Sequence, residues 1–292
     1  MFKVALLLGV LSGILILTGY AIGSYFGSPT QAIEVSLIFA LILNFITYLY
    51  SDKMVLAMTG AKIVSPTDYP KLHRIVERVA NAAKIPKPKV AIIDKDAPNA
   101  FATGRGPGKS VVAVTRGLLN LLNEGELEAV IGHEIAHIKD RDVLISTIAA
   151  TIAGAISYLA YIGRWGVYLG YGDSRRRDSS AAAALLAAIL APIAALIVQL
   201  AISRSREYLA DEKGAKITRK PLELASALMK ISRAKDIGLT IQANPATSHL
   251  WIVNPLRGGG LSELFSTHPP VEKRVARLRK IAREMGIYIF PI

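Results

Sequence analysis

His133-Glu134-Ile135-Ala136-His137 is the stretch from which the rest of the chain can be read. Residues four apart in a helix share a face. Two imidazoles at that spacing can hold one metal ion, and the glutamate between them can serve as a base toward water. The turns before the motif place it on a helix: Asn123-Glu124-Gly125-Glu126 reads as a capping-box start. On that helix Leu127, Ile131, Ile135 and Ile138 fall on the side opposite the histidines, so the aliphatic side enters a core while the histidines face something else. Ala129, Gly132 and Ala136 form a small-residue flank where another helix can pack closely. An ordinary half-buried helix would carry charge where this one carries potential ligands.

Two histidines do not complete a site, because catalytic zinc usually takes three protein ligands and a water. The chain has five histidines and no cysteine, which excludes disulfides, thiolate zinc sites and cysteine nucleophiles. The remaining donors are His73, His249, His268 and carboxylates. Glu207-Tyr208-Leu209-Ala210-Asp211 sets two acids four apart. Glu207 could ligate while Asp211 accepts the N–H of a ligating imidazole. The alternative is a solvated acidic pair beside Arg204 and Arg206. His73 and His249 read as ordinary surface or loop residues.

Working outward, 292 residues carry 52% hydrophobic and 20% charged residues, with a mean hydropathy of +0.38. Soluble domains hold about 25% charged residues, so lipid absorbs part of the apolar excess. The excess is concentrated in four uncharged segments: Val4–Ile22, Val35–Tyr50, Val143–Gly163 and Ser179–Ser203. A spanning helix needs about 20 apolar residues. The second segment, with Asn44 and Thr47, is the weakest of the four. Pro192 predicts a kink in the last. A cleaved signal peptide is the alternative for the first segment; the apolar segment that follows so closely favours a helical hairpin.

The expected organisation is a transmembrane hairpin over residues 1–51, a first catalytic part over 52–142, a second apolar pair over 143–203, and a second catalytic part over 204–292. The net charge is +13, and the two soluble parts hold 14 and 16 of the 35 Lys and Arg. The turn between the first two spans holds none. That asymmetry orients the N-terminus and the catalytic parts toward the cytoplasm. Arg164 and Arg175-Arg176-Arg177 break the pattern and leave the path of the last two apolar helices open. The basic residues are not interleaved with aromatics and form no nucleic-acid motif, so anionic lipid headgroups are the expected partner and nucleic acid is not. Within the soluble parts, helices are expected over 67–83, 204–218, 222–235 and from Pro269-Pro270 to about Met285, with strands at Val90–Ile93 and Val111–Thr115. Asn99–Thr103 is read as an exposed edge strand that pairs with an extended peptide, with Asn99, Ala100 and Phe101 as substrate-binding residues. A structural hairpin is the alternative. Arg274 projects into the apolar stripe of the last helix, which calls for either a buried partner or a snorkelling side chain.

The motifs taken together carry a resemblance over nearly the whole chain. Two spans precede Pro98-Asn99-Ala100-Phe101-Ala102-Thr103-Gly104; the His-Glu-x-x-His motif and two apolar helices follow; then come Ser205-Arg206-Glu207-Tyr208-Leu209-Ala210-Asp211 and Phe265-Ser266-Thr267-His268-Pro269-Pro270. This set closely resembles the HtpX family of membrane zinc metallopeptidases, relatives of the CAAX prenyl endopeptidases. The resemblance implies a zincin-like gluzincin domain, mostly α with a small β-sheet, joined to about four transmembrane or apolar helices. It implies one zinc ion per subunit on His133, His137 and Glu207, with Glu134 as catalytic carboxylate and Asp211 orienting a ligand. It also makes His268 a donor to the oxyanion; from the residues alone His268 reads as a cap-region histidine. The implied function is an integral-membrane endopeptidase of the cell membrane, acting on misfolded or membrane-protein substrates in quality control and stress response. Against it stand a catalytically silent zinc scaffold and a secreted soluble metallopeptidase.

Overall fold

The computed structural model describes residues 2–25, 27–154, 203–239, 245–254 and 269–287. His268, Arg164, the arginines at 175–177, Pro192 and almost all of the fourth apolar segment lie outside the described residues.

Two long helices open the chain: α1 (Phe2–Tyr25) and α2 (Pro29–Thr59). Both are long and apolar enough to cross a membrane. At about 1.5 Å per residue, α1 reaches about 36 Å, more than the hydrocarbon core of about 30 Å. Leu37, Ile38, Leu41, Ile42 and Phe45 stay exposed on α2 and form an apolar outer face. The inner contact is made by small and polar residues. A Cβ on Gly19 would fall 1.8 Å from Ser36 Oγ, so the helices cross closely there. Asn44 Nδ2 donates to Ser12 Oγ at 2.8 Å. Asn44, the residue that made the second apolar segment look weakest, is thus the polar clasp of the hairpin. Helix α2 runs on past Asp52 and Lys53 to Thr59 and embeds Val55 against the sheet.

The sheet has the order β1 (Lys62–Ile63), β2 (Lys89–Ile93), β4 (Ser110–Thr115), β3 (Ala100–Gly104). Strands β2 and β4 are parallel, and the outer pairs are antiparallel. Successive side chains alternate between faces. Val90, Ile92, Ala100, Ala102, Val112 and Val114 enter the main core, while Ala91, Ile93, Phe101, Val111 and Ala113 enter a second one with Val55 and Trp251. A strand covered on both faces reads as an unbroken apolar run, as Val111-Val112-Ala113-Val114 does.

The main core is closed by α3 (Pro70–Ala83), α4 (Arg116–Leu121), α5 (Glu124–Lys139) and three C-terminal helices: α7 (Arg204–Thr218), α8 (Pro221–Asp236) and α9 (Val271–Glu284). These bounds agree with the sequence periodicity to within a few residues. Between α5 and α7 lies α6 (Asp142–Gly154), the start of the third apolar segment. Its described residues pack inside the protein, with Ile148, Ile152 and Ala153 on Val4, Leu7 and Leu11 of α1.

Helix α5 starts as its sequence predicts. Asn123 Oδ1 accepts from Glu126 N, and Glu126 Oε2 accepts from Asn123 N. Its small-residue flank takes α7. A Cβ on Gly214 would lie 2.7 Å from His133 N, and one on Gly132 would lie 2.5 Å from Thr218 Cγ2. The glycines set the distance between the helix that carries His133 and the helix that carries Glu207. Gly214→Ala should therefore destabilise the protein by about 1–3 kcal/mol, the usual cost of overpacking, and reduce bound metal. Thermal denaturation in detergent with metal analysis checks this; an unchanged melting temperature would refute the close-packing account.

Candidate metal centre

Helix α5 places His133, Glu134 and His137 at the inner end of a cleft, and α7 brings Glu207 across from them. The ligand-type atoms of His133, His137 and Glu207 all lie within 4.8 Å of one another. His137 Nε2 is 3.4 Å from Glu207 Oε1, and His133 Nε2 is 3.8 Å from Glu207 Oε2. Ligands about 2.1 Å from a tetrahedral zinc stand about 3.4 Å apart. The two-His, one-carboxylate donor set is one that zinc takes, and the two His–Glu separations lie near that spacing. Among the described residues this is the one such group of three.

The histidines are aimed by what lies behind them. His133 Nδ1 stands 2.9 Å from Asp211 Oδ1, so the Nδ1 proton is held by the carboxylate and Nε2 faces Glu207. Asp211 is itself gripped by Arg274, whose Nε donates to Oδ2 at 2.8 Å and whose Nη2 donates to Oδ1 at 2.7 Å. The third arm of the guanidinium, Nη1, donates to Ile252 O at 2.7 Å. Arg274 is 1% exposed and has the buried partner that its place in an apolar stripe demanded; it does not snorkel. It ties α9, α7 and the 252 segment together behind His133.

Burial and neighbouring charge divide the titrating groups. Burial pushes His133 down to about 4, although Asp211 opposes this, so its imidazole is neutral and can ligate near pH 7. Burial would lower His137 as well, but the Glu207 and Asp142 carboxylates outweigh it and hold that group up at about 10. A metal must therefore displace a proton from His137. Burial would raise Asp211, but Arg274 and His133 hold it down to about 2. Burial pushes Glu134 up to about 7, with the Glu207 charge adding to the rise. A carboxyl at that value suits general acid–base work.

Strand β3 is an edge strand, but it is not exposed as expected: all five residues are buried. Its outer edge is largely occupied. Ala100 O accepts from Ile252 N at 2.9 Å, and Asn99 Nδ2 donates to Val253 O at 2.7 Å. The Ala102 backbone lies beside Glu134 and lowers its carboxyl slightly against the effect of burial. Gly104 N donates to Thr147 Oγ1 of α6 at 3.2 Å. Phe101 is fully buried, its ring edge-on to Trp251 at 5.0 Å. Asn99, Ala100 and Phe101 thus build the wall behind the cleft, and Ala102 is the strand residue that lines it.

Two further expectations need correction. His249 is buried and lines the cleft, with Nε2 3.1 Å from Ser146 O. It is carried there by a 3-10 helix, Pro245–Leu250, packed on β3 and α2. His73 is also buried, with Nε2 3.2 Å from Val64 O, and does not line the cleft. Sequence reasoning did not single out Ala102, Asp142 or Trp251, which also line the cleft, and it read Arg206 only as a flanking charge. The apolar run Leu250-Trp251-Ile252-Val253 was the available signal, since a large indole among aliphatics needs a core to enter.

The sequence pattern of Peptidase family M48 matches residues 66–282. A protein described as "Protease HtpX homolog" from Pyrococcus furiosus is 55% identical over 285 residues, covering 98% of this chain and 97% of that protein. The Thermococcus kodakarensis protein of the same description is 53% identical over 287 residues, with 98% and 97% coverage. That of Aquifex aeolicus is 51% identical over 272 residues, with 91% and 89% coverage. Among solved structures, the crystal structure of S. mikatae Ste24p aligns with a TM-score of 0.48 at 16% identity, covering 95% of this chain and 65% of that chain.

Proposed function

The chain belongs to peptidase family M48, and from that premise we propose that it is an integral-membrane zinc endopeptidase. The observation that carries this reading is the convergence of His133, His137 and Glu207 on one point, with Glu134 in the same cleft. His133, His137 and Glu207 would hold the zinc, one per chain. When bound, the ion supplies Lewis acidity toward the scissile carbonyl and toward water. Glu134 takes the proton of the attacking water and delivers it to the departing amine nitrogen. Asp211 and Arg274 keep His133 in the tautomer that presents Nε2. His268, outside the described residues, is assigned as the oxyanion donor by resemblance alone.

The substrate backbone is proposed to run past Ala102, where β3 meets the cleft, rather than along Asn99–Phe101. Main-chain recognition of that kind tolerates varied side chains, which suits misfolded or membrane-protein substrates and a role in quality control. Helices α1 and α2 support membrane residence. The charge asymmetry around α1 and α2 supports a cytoplasmic active site, while Arg164 and Arg175-Arg176-Arg177 leave the path of the third and fourth apolar segments open. A silent scaffold would have no use for a buried base beside its metal, and a secreted form would discard α1, which Ser12 and Asn44 pin to α2.

The test uses the full chain in detergent micelles with casein and a membrane-protein substrate. One zinc per chain, cleavage abolished by a chelator and restoration by zinc are expected. Undiminished cleavage after complete removal of metal would overturn the proposal.

A further inference from the structure

We infer that Asp142 is a positioning residue for His137, braced by Arg206 from the helix that supplies Glu207. The inference deepens the metal site proposed above and rests on it. Asp142 Oδ2 stands 3.5 Å from His137 Nδ1, and Arg206 Nη1 donates to Asp142 Oδ1. With Nδ1 directed at Asp142, His137 presents Nε2 toward Glu207. This repeats, on the other side of the cleft, the arrangement behind His133. There an aspartate holds Nδ1 and an arginine holds the aspartate. Each ligating imidazole is thus followed by a carboxylate and then a guanidinium.

The chain positions make the arrangement self-consistent. Asp142 begins α6 just beyond the end of α5, so the turn at 140–141 swings it back toward His137. Arg206 precedes Glu207 on α7, so the turn of helix that delivers the third ligand also delivers the brace. A carboxylate at a helix start is favoured by the helix dipole alone. The dipole accounts for an acid at 142 but not for its aim, with one oxygen on Arg206 and the other toward His137. The Asp142 and His137 side chains are 13% and 15% exposed, against 1% each for Asp211 and His133. The His137 side of the site therefore lies nearer to water, and the effect of losing Asp142 should be smaller than that of losing Asp211.

Carboxylates that orient ligating histidines typically contribute 10–100-fold to metal affinity. The test measures the zinc dissociation constant of the full chain in micelles by competition with a chromophoric chelator. Asp142→Asn preserves shape and removes the charge; it should weaken zinc by about 10–100-fold. Arg206→Gln should weaken it less, and the double variant should be no worse than Asp142→Asn, because the arginine acts through the aspartate. Melting of the metal-free proteins separates loss of fold from loss of affinity. Wild-type affinity in folded Asp142→Asn would overturn the inference while leaving the zinc site standing. So would additive losses in the double variant. Failure of the wild-type chain to bind zinc would remove the site reading and this inference together.

Discussion

Glu134→Gln should lower kcat by about 10²–10⁴-fold, the range contributed by a positioned acid–base group, while zinc stays bound at one ion per chain. The amide matches the carboxylate in shape but cannot accept the proton of the attacking water. Zinc retention is expected because Glu134 lies between the ligands in sequence without belonging to the group that converges on the metal point. The pH profile gives an independent readout. Burial pushes Glu134 up to about 7, and a base works only when deprotonated. In the wild-type chain kcat/KM therefore rises with pH as this carboxyl titrates, and a cation in the cleft moves that limb to lower pH. In Glu134→Gln the limb assigned to this group should vanish. Steady-state cleavage of one peptide by both proteins checks the rate and the profile together, and equal rates would eliminate Glu134 as the base.

The second large effect is expected away from the reacting atoms. Arg274→Ala leaves the Asp211 carboxylate, 1% exposed, without its main partner. Removing one member of a buried ion pair costs about 3–5 kcal/mol because the other charge stays desolvated. Arg274→Lys should recover only part of this, since an ammonium cannot grip both carboxylate oxygens and Ile252 O at once. The sign of the pH dependence follows from Asp211, held down at about 2 against an ordinary value of about 3.9. A carboxyl lowered in this way contributes stability that is complete above the unfolded value and is lost as pH falls toward the folded one. The deficit of Arg274→Ala should thus be greatest near neutrality and shrink in acid, where Asp211 can be buried as a neutral acid. Denaturant unfolding of the metal-free protein at neutral and acid pH measures it. A deficit that grows on acidification would contradict this role for the pair.

The two effects differ in how far the sequence announced them. Glu134 could be read directly, because a helix repeats about every 3.6 residues and the His133–His137 spacing is a local property of one helix. The capping box at Asn123–Glu126, the apolar runs of β2 and β4 and the stripe of α9 were legible for the same reason: each depends on neighbours a few residues away. The sequence also marked Arg274 as anomalous, since a guanidinium in an apolar stripe must find a partner or escape to water. It could not choose between the two.

That choice belonged to the tertiary structure. Asp211 meets Arg274 across 63 positions of chain, and Asn99 meets Val253 across 154. No periodicity encodes contacts between elements that far apart. The same holds for β3. Its sequence reads as a free edge, but Ile252 and Thr147 take outward groups of it, and only packing decides that. His249 looked like a loop residue until the 3-10 helix carried it to the cleft. The sequence by itself determined the chemistry available: two imidazoles and a carboxylate on one helix, apolar helices to hold them at a membrane, and no thiol. Only the tertiary structure decided which distant carboxylates and arginines stand behind each imidazole. Burial strengthens electrostatic interactions, so those partners set which groups are charged, and they come together only when the helices pack.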